Sequence, residues 1–301
     1  MENGRQNINS RKIIIFLAIV FTCAMIVGSL PVVLGLKWAG TTAVVFGAIY
    51  MAFPALAAVF VKKVLYHEPV ILPLQVSFRI NKWFFVGWFL PLFMALAALI
   101  ISLIMPGVSY SPDMAGMFER YQDVMTAEQL AQMKASLEQL PVHPFFLTIG
   151  QGLMAGITIN ALFAFGEELG WRGFLLQELK PLSFARASVL IGFIWGLWHA
   201  PLILQGHNYP QHPVIGVFMM IVFCILLTPL LNYITLRAKS VIAAAIMHGS
   251  VNGLAGIAII MLSGGSDLTI GLTGLAGFVA LAVFNLLLYV KIKRQGLGLT
   301  Y

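Results

Sequence analysis

Eight apolar runs separated by short polar or charged turns organise the chain: 13–34, 40–61, 83–105, 145–165, 187–204, 213–235, 240–262 and 271–290. A helix needs roughly 20 mainly apolar residues to cross a bilayer, and these runs meet or approach that length. The pattern predicts an all-α fold, a polytopic transmembrane helical bundle of about eight spans. Composition agrees, with 60% hydrophobic and 10% charged residues, where a soluble domain carries about 25% charged. The formal charge of +7 does not indicate a nucleic-acid partner, because the basic residues sit between apolar runs and in terminal flanks. Cys23 and Cys224 fall inside apolar runs and read as small core residues, neither a disulfide nor a metal pair. The basic start "RQNINSRK" leads into an apolar run with no clear small-residue cleavage site. It reads as an uncleaved first span.

Lys and Arg mark cytoplasmic flanks. With the N-terminus inside, the inner flanks hold Arg5, Arg11, Lys12, Lys62, Lys63, Arg79, Lys82, Lys180, Arg186, Arg237, Lys239, Lys291, Lys293 and Arg294. The outer flanks hold Lys37, Arg120 and Lys134. Both termini are therefore expected in the cytoplasm, and the protein in a bilayer, most simply the plasma membrane of a prokaryote. The long outer loop, 106–144, contains "TAEQLAQMKASLEQL", which opens with Thr126 and Gln129 at capping-box spacing. Leu130, Met133, Leu137 and Leu140 share one helical face, so a surface helix on the bundle or the headgroups is expected.

Charged and strongly polar side chains inside a membrane face the bundle interior and are functional candidates by default. Three groups qualify: Glu167, Glu168 and Arg172 in "FGEELGWRGF"; His199 in "FIWGLWHAP"; and His248 with Asn252 in "AAIMHGSVNG". Glu168 and Arg172 are four apart and can pair on one face. Glu167 is rotated about 100° from Glu168, so the two carboxylates need not share a role. His248 and Asn252 also lie on one face. Ser183 centres the turn between the fourth and fifth spans, with Glu167 and His199 equally far from it in sequence, so antiparallel helices would set them at one level. His248 would rise about 14 Å from the inner face. The three groups are thus expected to meet in the cytoplasmic half. That requires the fourth helix to run to about Leu179, longer than a span needs, with a tilt or a kink permitted by Gly150, Gly152 and Gly156.

A carboxylate beside an imidazole can hold and deprotonate a water, and a second His with an amide can donate to a developing oxyanion. No G-x-S-x-G nucleophile motif is present. Zinc is the other option, since Glu and His are ordinary zinc ligands and a bound ion would activate the same water, although H-E-x-x-H is absent. His207 and His212, in "QGHNYPQHP", read as loop residues. Trp171, Trp195 and Trp198 read first as core, and second as a wall that excludes water or faces substrate.

At these residues the sequence resembles the CPBP family of intramembrane proteases, which includes CAAX prenyl endopeptidases and bacteriocin-processing or immunity proteins of the Abi type. The family pattern is E-E-x-x-x-R, then F-x-x-x-H, then H-x-x-x-N or H-x-x-x-D on successive membrane helices. Here the motifs read "EELGWR", "WGLWH" and "HGSVN", with Trp195 where phenylalanine is usual. The resemblance covers about 145–257. It implies a hydrolase with Glu167 as general base, His199 helping to hold the water, His248 and Asn252 on the oxyanion, and Glu168 with Arg172 as a supporting pair. The family name leans towards a metalloprotease, in which Glu167, His199 and His248 would hold a divalent metal such as zinc. A metal-free glutamate mechanism reads equally well. The implied partners are a peptide or membrane-protein substrate and the lipid bilayer. Three units follow: 1–144 with three spans and the outer loop, 145–262 with the catalytic helices, and 263–301 with the last span and a basic tail. Two other functions use similar residues: a membrane immunity or binding protein without catalysis, and a proton-coupled transporter, against which stands the lack of an internal repeat.

Overall fold

The computed structural model describes residues 8–121 and 126–294; Arg5 and the side chain of Arg120, counted above, lie outside the described residues. Long helices α1 (Ser10–Val33), α2 (Gly40–Val59) and α3 (Lys82–Ser102) come first, and α2 runs on through a π turn at Phe60–Leu65. The outer segment follows with strand β1 (Val108–Tyr110), α4 (Ala115–Tyr121) and α5 (Ala127–Glu138). Then come α6 (Pro144–Ile157), α7 (Ile159–Glu168), a π-helical stretch at Leu169–Leu175, and the short α8 (Leu176–Glu178). The chain returns through α9 (Phe184–Trp198), α10 (Ala200–Ile203), α11 (Pro213–Ala238), α12 (Val241–Leu254), α13 (Ile257–Ile260), strand β2 (Leu262–Gly264) and α14 (Leu275–Arg294).

Six helices among the described residues are long and apolar enough to cross a bilayer, and α6 with the α7–α8 helix makes a seventh, bent by 48°. Helix α9 is a shorter apolar helix that runs into α10. Large apolar side chains cover the outside, among them Val33 at 75% and Phe218 at 68% exposure, as expected for a surface facing lipid. The chain is an integral membrane protein.

Contacts at the helix ends sort them to two faces without reference to a membrane. At one face Lys12 reaches Glu68 (2.5 Å) and Glu178 (2.9 Å), and Lys62 reaches Glu68 (2.7 Å). These bonds gather the start of α1, the end of α2 and the end of α8. The Asn81 amide donates to the Ala238 carbonyl (3.0 Å) and the Ser240 hydroxyl to the Ser77 carbonyl (2.5 Å) at the same face. At the opposite face β1 and β2 pair antiparallel, Val108 against Gly264, and His212 meets Asp267 at 2.6 Å. The described ends of α1 and α14 therefore share one face. Glu68 lies outside the spans. Burial pushes its carboxyl up, but the hydrogen bonds and charges of Lys12 and Lys62 outweigh this and hold it below the usual range.

Two local expectations hold in detail. The Thr126 capping box forms in both directions at the start of α5, and α5 sets Leu137 against Met114, Ile260 and Met261. Helix α7 with its π and α8 continuations reaches Glu178, close to the length that level-matching with His199 demanded. The kink, however, is not at the glycines. It falls at Thr158, whose backbone leaves the helical region (φ −118, ψ −106). Gly152 and Gly156 instead let α6 approach α12. A Cβ on Gly152 would lie 2.5 Å from the Gly253 carbonyl oxygen, and one on Gly156 would lie 2.8 Å from the Ser250 Cα. Small residues at facing positions are the usual means of close helix packing in bilayers.

Candidate active site

Tryptophan 195 is the hub. It sits near the end of α9, 2% exposed, and its indole Nε1–H donates to Glu167 Oε2 at 2.7 Å. Its backbone carbonyl accepts from His199 Nδ1 at 2.8 Å, one helical turn on. Its ring lies 5.3 Å from the His248 ring and 4.4 Å from the Arg172 guanidinium carbon. One residue thus touches the base candidate, both imidazoles and the buried cation.

The two glutamates divide as their rotation on the helix requires. Glu168 Oε1 accepts from Arg172 at 3.0 Å and from His248 Nδ1 at 2.8 Å. The second arm of Arg172 donates to the Thr228 hydroxyl at 3.1 Å. Arg172 lies within the π-helical stretch, a geometry that recurs at functional sites. Glu168, Arg172, His248 and Thr228 form a locked, buried network linking the α7 helix, α11 and α12. Glu167 stands outside it, and among the described residues its side chain is held through Trp195. Breaking such a buried pair by removing one partner leaves an uncompensated charge and typically costs about 3–5 kcal/mol.

These bonds fix tautomers. A carbonyl oxygen only accepts, so His199 Nδ1 carries the proton and Nε2 presents a lone pair. His248 Nδ1 likewise donates to a carboxylate, leaving Nε2 as its free nitrogen.

A cavity of about 300 Å³ opens onto these groups, lined by Glu167, Trp195, His199, His248 and Asn252. The predicted site residues therefore line one cavity, except for Glu168 and Arg172, which are buried outside its lining. Asn252 is exposed and makes no side-chain hydrogen bond to the described residues. Apolar side chains complete the walls, among them Met51, Leu202, Met220 and Phe223. Several contributors lay outside the motifs. Tyr50 on α2 donates to the Trp198 carbonyl, next to His199, and its ring packs 4.3 Å from the Trp198 ring. Thr228 anchors Arg172, and Cys224 lines the cavity as a buried free thiol. Trp171 and Trp198 do pack as core, 5.6 Å apart, but Trp195 and Trp198 both also line the cavity. His207 is more than a loop residue, because it lines the cavity and accepts from Trp38 Nε1 at 3.3 Å. Burial pushes its imidazole down to about 4, which keeps Nδ1 an acceptor.

Along its helix Glu167 stands about 16 Å from Glu178, which lies at the face of the termini. The lining leads away from the face of the termini, towards His207, Asn208 and Thr273.

The free donor atoms, one Glu167 oxygen and two imidazole Nε2 atoms, are of the kinds zinc takes, and each imidazole has the outer-shell partner typical of a metal ligand. Their spacing does not fit: among the described residues no three His, Cys, Asp or Glu side chains are grouped to hold one ion.

Fold and site define a polytopic helical membrane protein with a buried carboxylate, imidazole and guanidinium centre. Residues 143–254 match the family model described as type II CAAX prenyl endopeptidase Rce1-like. The chain is 36% identical over 93 residues to a protein of Methanococcus maripaludis named CAAX prenyl protease 2. That alignment covers 29% of this chain and 34% of the relative, so the chain matches about a third of that relative's length.

Proposed function

We propose that this protein is an intramembrane endopeptidase in which Glu167 and His199 activate a water, with His248 and Asn252 on the oxyanion. The observation that carries the reading is the Trp195 indole bond to Glu167 at 2.7 Å, which orients a carboxylate at the wall of a cavity shared with both imidazoles.

A water between Glu167 and His199 Nε2 donates one hydrogen to each, and its lone pair is left to face a peptide carbonyl. As the oxygen attacks, Glu167 takes one proton. The carbonyl oxygen becomes an oxyanion. Asn252 donates an amide N–H to it. His248 can donate through Nε2 only as an imidazolium, because its Nδ1 proton is committed to Glu168. Before attack the two carboxylates, Glu167 and Glu168, balance Arg172 and that imidazolium; once Glu167 has taken the proton, the oxyanion carries the charge in its place. When the intermediate collapses, the C–N bond breaks and Glu167 returns its proton to the leaving nitrogen. Glu168 and Arg172 act through His248, setting its tautomer and position. The substrate class is a membrane-associated peptide, in keeping with the relative's name, and the helices of 145–262 carry the chemistry with Tyr50 of the 1–144 unit in support.

The test is cleavage of a library of internally quenched peptides by protein reconstituted in proteoliposomes. Wild type should cleave at least one peptide, and Glu167→Gln and His199→Gln should lose that activity while remaining folded. Equal turnover by either variant would overturn the assignment.

A further inference from the structure

The cavity leads to one face of the bundle and is closed towards the other. Between Glu167 and the Lys12–Glu178 ion pair the interior is filled by Phe174, Leu175 and Leu176, all fully buried. In the other direction the wall continues through Tyr50, Leu202 and Val251 to the polar rim of His207, Asn208 and Thr273. Asn208 is exposed, and it lies in the loop between α10 and α11. That loop joins the face where Trp38 bonds His207 and His212 bonds Asp267.

The charges at the two faces differ sharply. The face carrying the ends of α1 and α14 holds Arg79, Lys180, Arg186, Lys239, Lys291 and Lys293 among its basic residues, and the rim face holds Lys37 and Lys134. Short basic flanks stay on the cytoplasmic side. The closed face is thus the cytoplasmic one and the rim face the exterior one.

We propose that the site is loaded from the exterior side. Its substrate would be an extended peptide segment in or above the outer leaflet, such as the external flank of a membrane-anchored protein, and not the cytoplasmic C-terminal tail of a soluble one. The peptide nature of the substrate rests on the peptidase reading above. The direction of loading rests only on the cavity and the charge distribution.

Single-cysteine accessibility tests the direction without any cleavage. Asn208→Cys marks the rim and Lys239→Cys, at an exposed position, marks the closed face, both in a Cys23→Ala background with Cys224 retained as the control. Spheroplasts expressing the full chain are treated with a membrane-impermeant maleimide before and after permeabilisation. The proposal expects Asn208→Cys to label in intact spheroplasts and Lys239→Cys to gain at least tenfold in labelling on permeabilisation. The reverse pattern would overturn it. A second arm uses any peptide that the proteoliposome screen identifies: attaching a bulky maleimide to Asn208→Cys should slow its cleavage tenfold or more, whereas the same adduct on Lys239→Cys should not. If no peptide is cleaved at all, the peptidase reading fails while the labelling still reports the open face.

Discussion

Replacing Trp195 by phenylalanine isolates one bond. Phenylalanine keeps an aromatic face for Arg172, 4.4 Å away in the wild type, and it is the residue usual at this place in the family pattern, so the variant should fold. The backbone carbonyl that accepts from His199 is untouched. What disappears is the indole N–H that donates to Glu167 at 2.7 Å inside a buried site. A hydrogen bond to a charged group contributes about 1.5–3 kcal/mol, and each 1.36 kcal/mol on a barrier is tenfold in rate. If the bond orients the base in the transition state, kcat should fall by roughly 10- to 100-fold. KM should stay within about twofold, because uniform substrate binding is not what is lost. Steady-state cleavage of a quenched peptide in proteoliposomes measures both constants, and circular dichroism with a melting curve checks the fold. A folded Trp195→Phe protein with unchanged kcat would refute the claim that this bond holds Glu167 for chemistry. Loss confined to KM would assign Trp195 to substrate binding instead.

Four further outcomes follow from the same geometry. Glu168→Gln should destabilise the protein by about 3–5 kcal/mol, since it removes the carboxylate charge that compensates Arg172 in the interior; a melting curve unchanged from wild type would contradict the buried network. Gly253→Val should lower the melting temperature by several degrees, because a Cβ there would sit 2.5 Å from the Gly152 carbonyl oxygen and force α12 off α6. Glu68 carries a carboxyl held low by Lys12 and Lys62, so its contribution to stability is present above the ordinary carboxylate range and fades as pH falls through its lowered native value. Glu68→Gln should therefore melt earlier than wild type at pH 7, with the gap closing at acid pH. A strong chelator should leave peptide cleavage within about twofold, and metal analysis of the purified protein should find less than one ion per chain; abolished cleavage restored by added zinc would replace the water-holding role of the Glu167 and His199 pair.

The parts of this structure that depend on spacing along one helix were legible in the sequence. Glu168 and Arg172 at i and i+4 pair as expected, the Thr126 capping box forms, and the apolar runs become the membrane helices. Rotation about the α7 helix gives Glu167 and Glu168 different partners, Trp195 for the first and Arg172 with His248 for the second. Contacts between distant helices were not legible. That Glu168, and not Glu167, would take His248 depends on how α12 packs on the α7 helix, and the sequence level-match alone does not choose. Tyr50 reaches the site from a helix with no motif, and its only sign was a polar tip in an apolar run. Trp195 was visible as a departure from the family's phenylalanine, but an indole N–H becomes meaningful only once its direction is known. The glycines of α6 suggested flexibility because isolated helices bend at glycine, yet here the contact with α12 uses them for close approach and the bend falls at Thr158. Level-matching anticipated that Glu167 and His199 would line one cavity, but it carries no information on which side of that level the bundle is hollow.

The account rests most heavily on Glu167 as the group that takes the proton from water. Single-turnover cleavage by reconstituted Glu167→Gln beside wild type tests this most directly, because glutamine keeps the shape and the bond from Trp195 but is not a base. A loss of about 10²–10⁴-fold in the cleavage step, with the melting curve preserved, is the predicted result. Cleavage within a few-fold of wild type by the folded variant would contradict it.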